Sequence, residues 1–220
     1  MRAIIIANGR LHNNIHFFSG IKEDDLLIAA DGGAHHFRDL ELMPDVVIGD
    51  MDSISPLLKD ELQTSGVKIV LYPTDKDQTD LELALRFALK HGTNEIILFG
   101  ILGGRLDLSL ANILLLAREE WKTVSITVMD GPEEAFLLRS NDTISIKGRP
   151  GDILSLIPLS EFVEGVTTEG LRWKLENANL LQGNTRSVSN EFLSNSVQVK
   201  IRNGKMLLVH RRFSPMDVME

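Results

Sequence analysis

The chain has 220 residues, 43% of them hydrophobic and 25% charged, enough to bury a core in one large domain or two small ones. It contains no cysteine, which excludes disulfides, zinc–thiolate sites and a thiol nucleophile and fits a reducing compartment. A formal charge of −8 argues against broad nucleic-acid binding, which needs a basic stripe to displace counterions; a small anionic substrate held through a metal ion and local amides stays compatible with it.

The first apolar run, residues 3–7, is too short for the apolar region of a signal peptide and reads as a buried strand. No segment reaches the roughly 20 apolar residues of a membrane helix, so a cytoplasmic protein without a membrane partner is expected. Further strands are predicted at 26–30, 46–48, 67–71, 95–100 and 124–129, most of them apolar throughout, as in a parallel sheet covered on both faces. Between them, Leu81, Ala84, Leu85 and Ala88 give residues 79–91 one apolar helix face, and Leu106, Leu110, Ile113 and Ala117 do the same for 106–120. Alternating strands and helices predict an α/β domain, a doubly wound, mostly parallel sheet with helices on both faces, over residues 1–131. Beyond Gly131-Pro132 the pattern changes to short strand-like runs at 135–139, 143–147, 153–158, 197–202 and 205–210, predicting a C-terminal all-β domain over 132–220. Asn203-Gly204 between the last two runs predicts a hairpin.

Ligands of open α/β sheets bind at the carboxyl ends of the strands, so the residues that follow each strand carry the functional reading. Asp31-Gly32-Gly33 opens a helix-like segment, where glycines admit a close ligand and a helix start favours anions; a tight turn with Asp31 as cap is the alternative. Asp50 and Asp52, two apart in extended chain, point to one side as a magnesium-type oxygen pair, or form an acidic loop in which Ser53 or Asp52 caps the helix starting at Pro56. Lys76-Asp77-Gln78-Thr79-Asp80 precedes the amphipathic helix, and Asp77 with Asp80 also fits a helix cap. Gly103-Gly104-Arg105-Leu106-Asp107 offers free amides and a guanidinium for a phosphate, or a surface Arg–Asp pair. Four consecutive strand ends carrying Asp or Gly-Gly suit magnesium-assisted phosphoryl transfer, which is chiefly positioning and charge neutralisation. In the β domain, Gly170-Leu171-Arg172-Trp173 and the run Ser187-Val188-Ser189-Asn190-Glu191-Phe192 stand out; Trp173 is either a stacking platform or core. Trp121 reads as packing and His35-His36 as surface.

Taken together, Ala-Asp-Gly-Gly-Ala at 30–34, Gly-Asp-Met-Asp-Ser at 49–53, Asp-Gln-Thr-Asp at 77–80, Gly-Gly-Arg-Leu-Asp at 103–107, Gly-Leu-Arg-Trp at 170–173 and Ser-Val-Ser-Asn-Glu at 187–191 resemble the thiamin pyrophosphokinase family, in order along nearly the whole chain. The resemblance implies an α/β domain that binds ATP, a C-terminal β-sandwich that binds thiamin, and transfer of a diphosphate to the thiamin hydroxyl with release of AMP. It implies a homodimer with sites at the subunit interface. Carried over by position, Asp50, Asp52 and Asp80 hold Mg2+. Asp31, Gly32, Gly33, Gln78, Gly103, Gly104 and Arg105 face ATP, while Arg105, Asp107 and Asp77 are the catalytic candidates. Trp173, Thr167, Ser187, Ser189 and Asn190 line the thiamin pocket, and Lys76 falls on the substrate side. The family commonly has His after the Asp of the Gly-Gly-Arg motif; Leu108 stands there, which leaves Asp107 as the candidate proton acceptor. Two other readings share these aspartates: a diphosphokinase acting on a pterin-type alcohol, and a nucleotide- or thiamin-binding sensor without catalysis.

Overall fold

The computed structural model describes residues 1–12, 18 and 20–213. The chain divides into two compact units, Met1–Gly131 and Pro132–Glu220.

In the first unit six strands, β1 (Arg2–Ile6), β2 (Leu26–Ala30), β3 (Val46–Gly49), β4 (Lys68–Leu71), β5 (Glu95–Phe99) and β6 (Ser125–Asp130), pair in parallel in the order β6-β5-β1-β2-β3-β4. Four α-helices occur among the described residues: α1 (Gly33–Asp39), α2 (Pro56–Thr64), α3 (Asp80–Lys90) and α4 (Leu106–Leu116). The chain builds outward from β1 through β2, β3 and β4, then returns to β1's other side with β5. That reversal is a topological switch point, the usual ligand crevice of such sheets. Helix α3 follows its sequence pattern: Leu81, Ala84, Leu85 and Ala88 are buried, and the Thr79 hydroxyl caps the helix by accepting from the Glu82 amide. Asp77 therefore caps nothing. Helix α2 likewise starts from the Ser55 hydroxyl, which accepts from Leu58, rather than from Ser53 or Asp52. Trp121 is fully buried and donates to the Leu115 carbonyl.

Helix α4 departs from its predicted packing. Leu106, Leu110 and Leu114 are exposed, and among its residues Leu116 is the buried one. A helix apolar on nearly every side has no single face for the core to select, so the periodicity did not tell which residues face inward.

The second unit has two antiparallel sheets. One has the order β12 (Asn190–Glu191), β9 (Ile153–Pro158), β14 (Met206–Arg211), β7 (Glu133–Leu138); the other runs β11 (Ala178–Leu181), β10 (Phe162–Glu169), β13 (Ser196–Lys200), β8 (Thr143–Lys147). Both sheets send side chains into one core, among them Leu154, Leu156, Met206 and Leu208 from the first and Val163, Val166, Val197 and Val199 from the second. This is a β-sandwich. The predicted hairpin at Asn203-Gly204 does not form. β13 pairs with β8 and β10, whereas β14 pairs with β7 and β9, so the turn carries the chain from one sheet to the other. A hairpin would have put both apolar strands in one sheet; the crossing lets them cover each other's inner faces. β10 escaped the sequence pattern because its register shifts between Val163 and Val166, which breaks the alternation.

Candidate active site

At the switch point the β1 and β5 ends are stapled together: Gly9 donates to the Gly100 carbonyl at 2.7 Å and Arg10 to that of Leu102 at 2.8 Å. A cavity of about 750 Å³ opens there, lined by Asn8, Gly9 and Arg10 from the β1 end, Asp31, Asp80, and Gly103, Gly104, Arg105 and Leu108 from the β5 end. Gly103 has φ +82°, a backbone that side chains rarely adopt, and a Cβ there would stand 2.7 Å from the Arg10 Cβ. Asn8, Gly9 and Arg10 were not found from the sequence. Their signal is a short Asn-Gly turn after the first strand, which becomes informative once the strand order puts β1 beside β5. Gly32 and Gly33 are not part of the cavity wall. A Cβ on Gly33 would lie 2.0 Å from the Ile6 carbonyl, so this glycine serves the close approach of α1 to β1.

Beside the cavity lies an acidic cluster. Oxygens of Asp31, Asp50 and Asp52 all fall within 4.8 Å of one another. The convergence does not come from an extended strand. Met51 turns the chain at φ 65°, and Asp50 Oδ1 accepts the Asp52 amide at 3.1 Å. Asp31 is itself held at φ 45°, a second non-glycine residue in the left-handed region. Asp80 borders the same space, and Lys76 Nζ sits 3.2 Å from Asp80 Oδ1 and 3.4 Å from Asp50 Oδ2. The first of these contacts is an ion pair without hydrogen-bond alignment, since Asp80 Oδ1, like Asp31 Oδ1, is buried with no hydrogen bond. Burial pushes the Asp80 carboxyl above its ordinary range, against the opposing pull of Lys76. Asp50 is held below that range, first by the Asp52 amide and then by Lys76. Burial works against the Lys76 ammonium, but Asp80 and Asp50 outweigh it and raise its pKa. Lys76 thus belongs to the carboxylates. Asp77 is exposed, and neither it nor the half-buried Gln78 lines the cavity.

Arg105 lines the cavity mouth, but its guanidinium is engaged with Asp107, Nε to Oδ1 at 3.1 Å and Nη2 to Oδ2 at 2.5 Å. Both side chains are mostly exposed, and the guanidinium holds the Asp107 carboxyl below its usual range. This is the surface pair of the alternative reading; Asp107 is not part of the cavity wall.

In the second unit a cavity of about 400 Å³ is lined by Trp173, Ser187 and Asn190, together with Arg172, Lys174, Leu175 and Arg186. Trp173 is 58% exposed, a platform rather than core. Asn190 clasps its backbone, accepting from the Trp173 amide at 3.0 Å and donating to its carbonyl at 2.7 Å. The Ser187 hydroxyl donates to the Leu156 carbonyl. Thr167 and Ser189 are outside this wall: the Thr167 hydroxyl accepts from the Asn177 amide, and the Ser189 amide donates to the Ser155 hydroxyl. Of the cations that line the cavity with Trp173, Arg172 belongs to the motif marked in the sequence, whereas Lys174 and Arg186 were not singled out. Arg172 and Lys174 are paired with Glu191 and Glu176.

A switch-point crevice of glycine turns, an arginine and converging carboxylates in the α/β unit, and an aromatic-lined cavity in the β-sandwich, are the build of an enzyme with a ligand cavity in each unit. Sequence comparison sharpens this. The family described as "Thiamin pyrophosphokinase, catalytic domain" matches residues 18–128, and "Thiamin pyrophosphokinase, vitamin B1 binding domain" matches 141–206. The chain is 29% identical over 210 residues to a thiamine pyrophosphokinase of Bacillus subtilis, covering 95% of this chain and 98% of that one. It is 30% identical over 223 residues to thiamine pyrophosphokinase 1 of Oryza sativa subsp. japonica, covering 90% and 82%. The crystal structure of the B. subtilis enzyme superposes with a TM-score of 0.87 at 27% identity, over 97% of this chain and 100% of that one. That from Geobacillus thermodenitrificans gives 0.83 at 26%, over 98% and 99%. The chain belongs to the thiamin pyrophosphokinase family, in both its catalytic and its vitamin-binding parts.

Proposed function

We propose that the chain is a thiamin diphosphokinase: the acceptor hydroxyl attacks the β-phosphorus of ATP, the bond from that phosphorus to the oxygen bridging to the α-phosphorus breaks, and AMP leaves with that oxygen. Membership of the family in both parts supports the reaction, and the single observation that carries the chemistry is the carboxylate cluster, with Asp31 Oδ1 buried and without a hydrogen bond, beside a glycine-walled cavity. Burying several carboxylates together is unfavourable unless a cation joins them. Asp31, Asp50, Asp52 and Asp80 are the residues that would hold Mg2+, which when bound neutralises polyphosphate charge. Hard oxygen donors, two of them buried without hydrogen bonds, fit such an ion. Asp31 enters this set on geometry, beside the three ligands named from the sequence.

The amides of Gly103 and Gly104 and the guanidiniums of Arg10 and Arg105 take the phosphates. Contact with a phosphate would draw Arg105 from Asp107. Asp107 is held below its usual range only while it is paired with that arginine, and Leu108 offers no ionisable group. A loose transition state lowers the demand on a base, because the hydroxyl proton can leave late in the transfer. In the other unit Trp173 stacks on the thiamin ring and Asn190 fixes the tryptophan's backbone. The same cavity disfavours the pterin alternative, since the match to the vitamin-binding family covers it. We propose a homodimer with sites at the subunit interface: Leu106, Leu110 and Leu114 expose an apolar helix that a second copy would cover. An ATP-fed reaction and a chain without cysteine fit the cytoplasm.

The deciding experiment measures AMP released from ATP, with and without thiamin and with and without MgCl2. Release requiring both supports the reading. Tight ATP binding with no thiamin-dependent AMP would favour the sensor.

A further inference from the structure

In the β-sandwich, outside both cavities described above, His210 is fully buried between two carboxylates. Its Nδ1 lies 2.8 Å from Glu134 Oε1 and its Nε2 3.1 Å from Asp152 Oδ2. Each ring nitrogen is thus within hydrogen-bond distance of a carboxylate oxygen, and the imidazole bridges the two acids. Burial raises both carboxyl pKa values, but other contacts outweigh it. For Glu134 these are His210 and Arg212; for Asp152 they are the Phe213 and Arg149 amides and then His210. Both carboxyls end below their ordinary range. Such a buried triplet is weak evidence of stability in itself, since apolar residues could fill the space at least as well. Its position suggests another use.

Asp152 is the hub. Oδ2 also accepts the Arg149 amide at 2.8 Å, Oδ1 accepts that of Phe213 at 2.8 Å, and its carbonyl accepts that of Phe192 at 2.8 Å. The Phe192 ring stacks on His210, centroids 4.8 Å apart at 22°. Gly148 leaves the room for this: a Cβ there would stand 2.7 Å from Asp152 Oδ2 and 2.8 Å from the Phe192 ring. From Phe192 the path to the acceptor cavity is short. Residues 190–191 pair with Leu154 and Ile153 directly after Asp152, and Asn190 holds Trp173 by both backbone groups. Arg172 donates its amide to Glu191, and Leu193 to Gly170, so the Trp173 turn is bound to this strand on both sides.

We propose that His210 and Asp152, acting through the stacked Phe192 ring, are positioning residues for the acceptor cavity: they set where Asn190 presents Trp173. The proposal rests on the reading that Trp173 stacks on thiamin. His210→Gln removes the ring that bridges the two acids and the stack, and Phe192→Leu removes the stack while keeping the bridge. Neither residue touches either substrate cavity. In the full-length protein, thiamin is titrated against tryptophan fluorescence, and steady-state kinetics separate the acceptor from ATP. The expected result is a thiamin Kd and KM raised roughly tenfold or more, with kcat and the KM for ATP within about twofold of wild type. If His210→Gln does not fold, Phe192→Leu carries the same expectation. An unchanged thiamin KM in a folded variant overturns the proposal, as does a parallel loss in kcat and both KM values. Failure of both variants to fold also overturns it, by making the network a requirement of the fold. No saturable fluorescence change in wild type would sink the stacking reading and this proposal with it; a normal wild-type response with an unaltered variant sinks the proposal alone.

Discussion

Lys76 is the cation nearest the acidic cluster, and replacing it with methionine tests whether that cluster is built for a metal. The ammonium lies 3.4 Å from Asp50 and 3.2 Å from Asp80, and its side chain is 11% exposed. At such separations each contact is worth about 5 kcal/mol of Coulomb attraction at an effective dielectric constant of ~20, most of it offset by lost hydration. Removing one partner of a largely buried group exposes that offset and costs about 3 kcal/mol. For a chain of this size that lowers Tm by roughly 6–12 °C in metal-free buffer. Protonation of Asp80, whose pKa is already raised by burial, would absorb part of the loss, so the drop should be larger at pH 8 than at pH 5. Saturating MgCl2 should then recover most of it, because an ion bound only by the folded state stabilises by mass action. The assay is thermal unfolding of wild type and Lys76→Met, each with EDTA and across a MgCl2 series. An equal Mg2+ response in both proteins, or no loss of Tm in the metal-free variant, would refute the argument that Lys76 and a divalent cation compensate the same carboxylates.

Arg10→Gln should raise the KM for ATP roughly tenfold with little effect on the KM for thiamin, since a cation lining the cavity proposed to take the polyphosphate is lost; steady-state kinetics check it. Leu110→Glu with Leu114→Glu should shift a dimer toward monomer in light scattering, because charge is placed on exposed apolar positions of α4. Asp152 has a folded-state pKa below its unfolded value, so the stability it supplies is complete above the ordinary carboxylate range and is lost as pH falls through the depressed value. Asp152→Asn should therefore lower Tm at pH 7 and flatten the decline in Tm below about pH 4. A variant with an unchanged acid limb would contradict that assignment.

Several features were legible because they are local. Apolar runs marked the parallel strands, the stripe from Leu81 to Ala88 marked α3, and Asp31, Asp80 and the Gly103-Gly104 pair at strand ends marked the crevice before any pairing was known. Trp173 and Asn190 stood out by residue type, and the structure joins them directly. Asn8, Gly9 and Arg10 did not stand out, because their importance comes from β1 lying beside β5, a pairing between residues far apart in the chain. The hairpin failed for a related reason. Asn203-Gly204 favours a tight turn, but β13 and β14 each have two better partners elsewhere, and covering both apolar faces outweighs the local preference. Helix α4 gave the wrong inner face because leucines on nearly every side carry no direction. By itself, then, the sequence determined which residues are chemically able to hold a cation, a phosphate and a flat ring. The tertiary structure decided which of them converge: Asp31 and Lys76 joined the carboxylates, Asp107 turned outward to Arg105, and His210 came to lie between Glu134 and Asp152. The reason is physical, for residue chemistry is a property of each position, whereas convergence depends on strand order and turn geometry that only long-range pairing fixes.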